Sequence, residues 1–403
     1  MRSLEAEKES ELLSLTQFGK FGGPSMPPEW LLKGFAEPGT GMSVETPSLF
    51  RGRRDRKKIR IANFITLSGS AGLWGPACTN STLLAASEIN RRGGILGREI
   101  EIVFHDAGGG IDDVVRAASD IVASDDADIL MGSHISAVRV ALRKVVAGHI
   151  PYIYTPVYEG GERTPGVMAI GETPRAQSRP AIEWLANAKH ASRWYLIGSD
   201  YVWPWLSHKA IKKYIADAGG RVVGEEFVPM GEHDHSAQLA RIQAAKPDVV
   251  LISLIGTDSV MFNRAFAEQG LASKMLRLAG AMDETVLLGI GADNTENLFC
   301  ASGYFADTAS RENDAFRAQY EASFGHHAPP LGSIGQSNYE GLRFLETVAP
   351  RAGSLAIKPL LSAAANVDYQ GARGTVGIRR GSASMPIYLA AANGLDFRLI
   401  KRF

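Results

Sequence analysis

The sequence predicts an α/β fold with two parallel-sheet lobes. Three apolar runs end in a glycine, a hydroxyl residue and a polar residue, at Gly132-Ser133-His134, Gly198-Ser199-Asp200 and Gly256-Thr257-Asp258. Each run resembles a buried strand, and each is followed by a segment with helical spacing. The carboxyl ends of parallel strands meet at one edge of a sheet, and these ends fall in two regions of the chain. We therefore expect two doubly wound sheets that face each other across one cleft.

The first lobe is predicted from strands and helices that alternate after residue 58. Such alternation indicates βαβ units and therefore a parallel sheet. Local signals mark the helix ends, because Gly93-Gly94 stops one helix and Asp112 is a candidate cap for the next. The predicted strands are 59–67, 99–105, 129–131 and 152–155, and the predicted helices are 79–92, 112–124 and 136–147.

A second run of the same kind starts after Thr173-Pro174 and predicts the second lobe. Gly219-Gly220 ends one of its helices. We find no repeat with a solenoid period. The predicted strands are 194–198, 222–228, 249–254 and 276–279, and the predicted helices are 176–188, 204–218, 236–245 and 259–269.

The C-terminal part of the chain continues the pattern with fewer regular signals. An apolar run at 299–305 is followed by two segments with helical spacing, 312–324 and 336–349. Short strands are predicted at 374–378, 387–391 and 397–400. The last two flank Asn393-Gly394, a sequence typical of tight hairpin turns, so we expect a β-hairpin there.

Length and composition limit the classes of function. A chain of 403 residues is long for one core and favours two domains. Its 43 basic and 43 acidic residues cancel, which argues against a nucleic-acid partner, because phosphate binding needs a concentrated basic field. No apolar run approaches the roughly 20 residues of a membrane span. Only Cys78 and Cys300 are present, and we expect both to be buried thiols.

Residues 1–57 differ from the rest of the chain, because prolines and glycines interrupt any long periodicity. We predict that this extension is mostly disordered. A basic run at 51–58 is interpreted as a solvated linker, with contact to nucleic acid or an acidic lipid surface as the alternative. The first residues lack a secretory signal, so a cytoplasmic location is expected, or a periplasmic one if the gene start is misassigned.

The sequence offers no catalytic motif. There is no Gly-x-Ser-x-Gly elbow, no phosphate loop ending in Gly-Lys-Ser/Thr and no His-Glu-x-x-His. The segment His233-Asp234-His235 does not have a common zinc spacing and is interpreted as a surface turn. We therefore expect neither a metal nor a cofactor, and no enzymatic activity.

Binding is better supported by the residues at the predicted strand ends. A helix that opens at Ser136 would direct free backbone N–H groups and one hydroxyl toward the cleft, beside His134. Ser136 could equally cap its own helix. Tyr152-Ile153-Tyr154-Thr155-Pro156 places two tyrosines at another strand end, where each offers an apolar face and a polar tip. Tyr201 comes from the other lobe.

Four segments of the chain resemble the type I periplasmic-binding-protein family. The most similar branch comprises the urea- and short-chain-amide-binding proteins, including the cytoplasmic amide sensor of amidase operons, and branched-chain amino-acid receptors are more distant. The resemblance covers residues 58–403. The segments are Gly-Ser-His-Ile-Ser-Ala-Val-Arg, Tyr-Thr-Pro-Val-Tyr-Glu-Gly, Gly-Ser-Asp-Tyr-Val-Trp-Pro and Lys-Pro-Asp-Val-Val-Leu-Ile-Ser-Leu-Ile-Gly-Thr-Asp.

This resemblance implies two lobes joined by a three-stranded hinge, with crossings near Gly171, Gly303 and Val376. Residues 58–171 and 304–376 would form lobe 1, and residues 172–303 and 377–403 would form lobe 2. His134 replaces an aromatic residue usual in the branch, and Asp283 stands where relatives carry acidic residues. The residues implied to bind ligand are Ser136, Tyr154, Thr155, Tyr201, Thr257, His134 and Asp283.

The function implied is non-enzymatic binding of a small polar solute such as an amide, urea or an amino acid. The partner would be a regulator protein if the chain acts as a cytoplasmic amide sensor, or an ABC permease if it serves an importer. Assembly into a homo-oligomer is left open by the resemblance. The competing hypotheses are a small-amide hydrolase, for which no activated nucleophile is found, and a nucleic-acid-binding regulator that would rest on residues 51–58 alone.

Overall fold

The computed structural model describes residues 55–379 and 381–403, so nearly all of the predicted disordered extension lies outside the described part of the chain. The first lobe begins with strands β1 (Ile59–Ile65), β2 (Ile100–Asp106), β3 (Ile129–Ser133), β4 (Tyr152–Tyr154) and β5 (Val167–Ala169) and helices α1 (Gly75–Arg91), α2 (Ile111–Ala123) and α3 (Ser136–Val146).

These five strands are parallel and lie in the order β2-β1-β3-β4-β5. Helices cover the sheet, so β3 is buried on both faces and reads as a continuous apolar run. In doubly wound sheets of this order, ligands lie where the strand order reverses, here between β1 and β3. Helix α1 begins four residues earlier than predicted, at Gly75, and Pro76 fits there because its missing N–H is not needed in the first turn.

The second lobe repeats this arrangement. Its elements are α4 (Pro174–Lys189), β6 (Arg193–Ser199), α5 (Val202–Asp217), β7 (Arg221–Val228), α6 (Ser236–Ala245), β8 (Val249–Ser253), α7 (Gly256–Glu268), β9 (Leu276–Ala279), α8 (Glu284–Ile290) and β10 (Leu298–Ser302). The parallel strands lie in the order β7-β6-β8-β9-β10, which is the order of the first sheet. The predicted α/β class with two doubly wound sheets is thereby confirmed.

The remaining elements complete both lobes. They are α9 (Arg311–Phe324), α10 (Ser333–Ala352), α11 (Ile357–Ala364), β11 (Asn366–Gly371), β12 (Gly374–Arg379), β13 (Ser382–Ser384), β14 (Tyr388–Asn393) and β15 (Asp396–Arg402). The last two extend the second sheet as an antiparallel hairpin. The two strands pair antiparallel up to Asn393 and Asp396, so the predicted hairpin is confirmed, and Gly394 in its turn has φ +67°, which favours glycine.

Helix α10 is the most buried helix of the first lobe, and it packs against α1. A Cβ at Gly341 would lie 2.7 Å from the Cγ2 methyl of Thr155, so a glycine is needed where this helix crosses the end of β4. Strands β11, β12 and β13 form a small antiparallel sheet beside α10. The predicted lobe boundary at Val376 falls inside β12, and the chain passes to the second sheet only after β13.

Both cysteines are buried and free, Cys78 in α1 and Cys300 in β10. None of the helices in the described ranges 55–379 and 381–403 is long and apolar enough to cross a membrane.

The segments that join the lobes are tied together by one buried carboxylate. Glu172 follows β5, and its Oε1 accepts a hydrogen bond from the N–H of Gly303, which follows β10, at 2.8 Å. The same oxygen pairs with the guanidinium of Arg373 at 3.3 Å, and both side chains are at most 5% exposed. Arg373 also donates to Gln336 Oε1 at 2.8 and 2.6 Å. Two inter-lobe segments and the turn between β11 and β12 are therefore held at one point.

We expect Glu172→Gln to lower the free energy of unfolding by about 3 kcal/mol, because it leaves the Arg373 guanidinium buried without its counter-charge. Urea unfolding followed by circular dichroism measures this. Glu183→Gln is the matched control, since its pair with Arg179 is solvent-exposed and is expected to contribute less than about 0.5 kcal/mol. Equal small losses in both variants would contradict the prediction.

Candidate functional site

A cavity lies between the two sheets, at the carboxyl ends of their strands. The cavity volume is about 40 Å³, which admits only a small solute. The lining side chains that the structure describes are apolar or neutral polar, with no Asp, Glu, Lys or Arg among them. They are Thr66, Ala71, Trp74, Ser133, His134, Ile135, Ser136, Tyr154, Pro156, Val157, Tyr201, Trp203, Ile255, Ala281 and Ile334.

His134 and two tyrosines form a hydrogen-bonded wall on the first lobe. The Tyr152 hydroxyl donates to His134 Nε2 at 2.7 Å, the His134 Nδ1–H donates to the Ile135 carbonyl at 3.1 Å, and the Tyr154 hydroxyl donates to the His134 carbonyl at 2.7 Å. Burial, with a smaller contribution from the nearby Arg139, lowers the pKa of His134 to about 4. The imidazole is therefore neutral at physiological pH, and this pattern fixes its tautomer.

Ser136 is the first residue of α3 and lines the cavity with its side chain almost fully buried. Its hydroxyl lies near the phenol of Tyr154 but makes no hydrogen bond of good geometry within residues 55–379 and 381–403. The preceding Ile135 is extended, and no side chain caps the helix. Because the first N–H groups of a helix have no internal partner, α3 offers the cavity both N–H donors and an unpaired hydroxyl.

A buried arginine, Arg139, lies behind the wall formed by His134 and the two tyrosines, and the sequence analysis did not predict it. The guanidinium of Arg139 lies 5.3 Å from the ring centroid of Tyr154 and 5.2 Å from that of Tyr158. It forms ion pairs with Glu159 and Glu162, and all three side chains are at most 4% exposed. The available signal was a charged residue between Val138 and Leu142 on the apolar face of α3. This cluster fixes the ring of Tyr154 without placing a charge on the cavity surface.

The second lobe contributes mainly aromatic and apolar surface. Tyr201 precedes α5, and its ring centroid lies 6.3 Å from that of Trp203. Burial raises the pKa of Tyr201 well above its usual value, with further contributions from Tyr154 and Glu159, so its hydroxyl is protonated and neutral. Ile255 and Ala281 complete this side at the ends of β8 and β9.

Direct contacts join the two lobes at the rim of the cavity. The N–H of Thr257 donates to the Ser70 carbonyl at 2.9 Å, and the indole N–H of Trp74 donates to Asp283 Oδ1 at 2.8 Å. Gly256 has φ +54°, and a Cβ there would collide with the same Ser70 carbonyl. The lobes are thus in contact around the cavity, as in a closed form.

The predicted site residues fall into two groups. Ser136, Tyr154, Tyr201 and His134 line the cavity, and the other three lie next to it. Thr155 turns toward α10, where its hydroxyl lies 3.0 Å from that of Ser337.

Thr257 and Asp283 bridge the lobes instead. Asp283 accepts hydrogen bonds from four N–H groups, which belong to Trp74, Thr285, Val286 and Ile334. Burial raises its pKa, so these donors stabilise a carboxylate that is costly to bury. Trp74 was not predicted, because only the fold brings it to the carboxylate that caps α8.

The sequence model of a family described as periplasmic binding protein matches residues 58–396. The chain belongs to this family. A periplasmic binding protein is a binder and not an enzyme, as the sequence analysis predicted.

Related proteins agree with this membership of the periplasmic binding proteins. The Leu/Ile/Val-binding protein BraC3 of Rhizobium johnstonii is 26% identical over 244 residues, which are 59% of this chain and 63% of that protein. A Leu/Ile/Val-binding protein homolog of Brucella melitensis is also 26% identical, over 59% of this chain and 62% of its own length. The matched segments thus span somewhat less than two thirds of these relatives.

Solved structures share the fold at lower identity. A periplasmic binding protein from Burkholderia mallei has a TM-score of 0.79 at 18% identity, over 86% of this chain and 95% of that one. A solute-binding protein from Rhodopseudomonas palustris in complex with 3,4-dihydroxybenzoic acid has a TM-score of 0.76 at 21% identity, over 86% and 97%. A leucine binding protein from Thermotoga maritima has a TM-score of 0.75 at 18% identity, over 86% and 98%.

The buried His134 predicts a pH dependence of stability. Its pKa is about 4 in the folded protein and about 6.5 when unfolded, so the unfolded state binds the proton more tightly. Its contribution is fully present above pH 6.5 and is lost as the pH falls toward 4, at a cost on the order of 3 kcal/mol.

We expect His134→Gln, which keeps an acceptor for the Tyr152 hydroxyl, to reduce the loss of unfolding free energy between pH 6.5 and 4 relative to the unchanged protein. Urea unfolding between pH 4 and 8 measures the difference. The exposed His149→Gln is the matched control and should leave the profile unchanged. Parallel profiles for all three proteins would show that His134 does not titrate in this way.

Proposed function

We propose that this periplasmic binding protein binds a small uncharged polar solute, a short-chain amide or a urea-like molecule, and does not alter it. The observation that carries the proposal is the composition of the cavity, whose lining combines neutral hydrogen-bonding groups with apolar walls and no charged side chain. An amide carbonyl can accept from Ser136 and the first N–H groups of α3. The amide N–H groups can donate to hydroxyl oxygens such as that of Thr66.

Charged solutes are disfavoured by the same cavity. A zwitterionic amino acid needs a carboxylate for its ammonium group, but the nearby Asp283 already accepts four hydrogen bonds and caps α8. Glu159 and Glu162 share Arg139, and neither side chain lines the cavity. An ammonium in the cavity would therefore be buried without a partner, at a cost of several kcal/mol. The carboxylate of a benzoate would contact the N-terminus of α3 but no cationic side chain.

The apolar side chains limit the size of the solute. Trp74, Trp203, Ile255 and Ile334 face the small space left beside the polar wall. Burial of an alkyl group against them contributes roughly 0.8 kcal/mol for each methylene. The site therefore favours a polar head group at α3 with a short alkyl tail that points to the second lobe.

We expect acetamide, propionamide or urea to raise the thermal midpoint, while leucine and benzoate at equal concentration do not, because binding stabilises the folded state by RT ln(1 + [L]/Kd). Ser136→Ala and Tyr154→Phe should each weaken amide binding about tenfold, since each removes one hydrogen-bonding group. Titration calorimetry measures the dissociation constants.

Ser124→Ala and Tyr214→Phe are the matched controls, because neither residue lines the cavity. Leucine or benzoate binding in preference to every amide would overturn the proposal.

The partner of the closed form is proposed to be the permease of an ABC importer, as the solute-binding proteins of similar fold are named for such transporters. Lobe closure creates a surface that exists only with ligand bound. Native protein should then be recovered in the osmotic-shock fraction and should co-isolate with a permease when amide is present. Recovery in the cytosol with a regulator protein would support the amide-sensor hypothesis instead.

A further inference from the structure

A second cavity lies inside the second lobe, next to the cleft. It is a small cavity of about 20 Å³, room for about one water, and it is bounded by helices α4 and α5 and by the ends of β8, β9 and β10. Trp203, Ser207 and Ile211 face it from α5 at intervals of four residues, so one face of this helix forms its wall. We call this space the inner chamber.

The inner chamber is not an ordinary packing gap. The hydroxyl of Ser207 and the indole N–H of Trp203 line it, both almost fully buried, and neither has a hydrogen-bond partner in the part of the chain that the structure describes. Buried polar groups are normally paired, so these two unpaired groups show that the side chains around this space do not fill it completely. Leu251 and Leu278 provide apolar surface beside them.

Trp203 separates the inner chamber from the cleft. It is the one described residue that lines both cavities. The adjacent residues Gly280 and Ala281 line one cavity each, so the indole ring and a single stretch of backbone form the partition. Gln177 Nε2 donates to the Gly280 carbonyl at 2.6 Å, which fixes that stretch in place. Substitution of Trp203 by a smaller residue would therefore open the partition between the two cavities.

We infer that Trp203 sets the maximum chain length of the solute by closing the inner chamber to its alkyl tail. This inference rests on the proposed function, because the polar head group must be held at α3 for the tail to point at the indole. With the indole in place, a tail longer than about two carbons meets the ring. Without it, the tail reaches Leu251 and Leu278, and the chamber becomes part of the binding site.

The test measures dissociation constants for primary amides from formamide to hexanamide by titration calorimetry. The native protein should prefer the two- and three-carbon amides and lose at least tenfold in affinity for longer ones. Trp203→Ala should reverse this order, with binding three- to fivefold tighter for each added methylene up to hexanamide. Trp203→Leu, a smaller change, should show the same order if Trp203→Ala does not fold.

Two further variants isolate the inner chamber. Trp203→Ala combined with Ser207→Leu fills the chamber while leaving the partition open, so it should restore the preference for short amides. Trp205→Leu is the matched control, because Trp205 lies on the same helix, is half exposed and lines neither cavity. Its chain-length profile should equal that of the native protein.

A parallel series of carboxylates from formate to hexanoate separates the two proposals. If carboxylates bind and amides do not, the proposed function fails. The role of Trp203 is then tested by comparing the affinities of short and long carboxylates for the native protein and for Trp203→Ala. If amides bind and Trp203→Ala keeps the native profile, the inference about Trp203 is overturned and the proposed function stands. If neither series binds, both are overturned.

Discussion

The geometry of the cleft depends on one buried ion pair at the junction of the lobes. Glu172 and Arg373 are almost completely removed from water, and the carboxylate also accepts the N–H of Gly303. A buried charge must be paired closely, so neither partner can move far without the other. The two crossing segments and the small β11–β13 sheet are therefore held together at one point, at the junction from which the two large sheets extend.

The chain keeps its charges near the cavity but off its surface. Arg139 pairs with both Glu159 and Glu162 behind Tyr154, which leaves that cluster with one net negative charge, and Asp283 is saturated by N–H donors at the rim. Both arrangements hold aromatic rings in fixed orientations. A cavity surface without charged side chains is the basis of the proposed discrimination against ionic solutes, because a charged guest would lose water and find no counter-charge on that surface.

Much of the fold could be predicted from sequence, because strand ends and helix starts are signalled locally. His134, Ser136, Tyr154 and Tyr201 follow or end predicted strands, and the fold brings all four to one cavity. The contact between Trp74 and Asp283 joins residues 209 positions apart, so no local pattern contains it. The same holds for Gly303, whose contact with Glu172 depends on how the two sheets are joined.

The two lobes have the same strand order but contribute different chemistry to the cleft. The first lobe provides the hydroxyl of Ser136 and the phenol of Tyr154, the groups proposed to bind a polar head group, while both ring nitrogens of His134 are already paired within the wall. The second lobe provides Trp203, Ile255 and Ala281, which set the shape of the remaining space. In the proposed function, recognition of the head group and limitation of size are therefore assigned to separate sheets. A substitution in the second lobe can change which tail fits without disturbing the hydrogen bonds that hold the head, so specificity within one class of solute can change while the class itself is conserved.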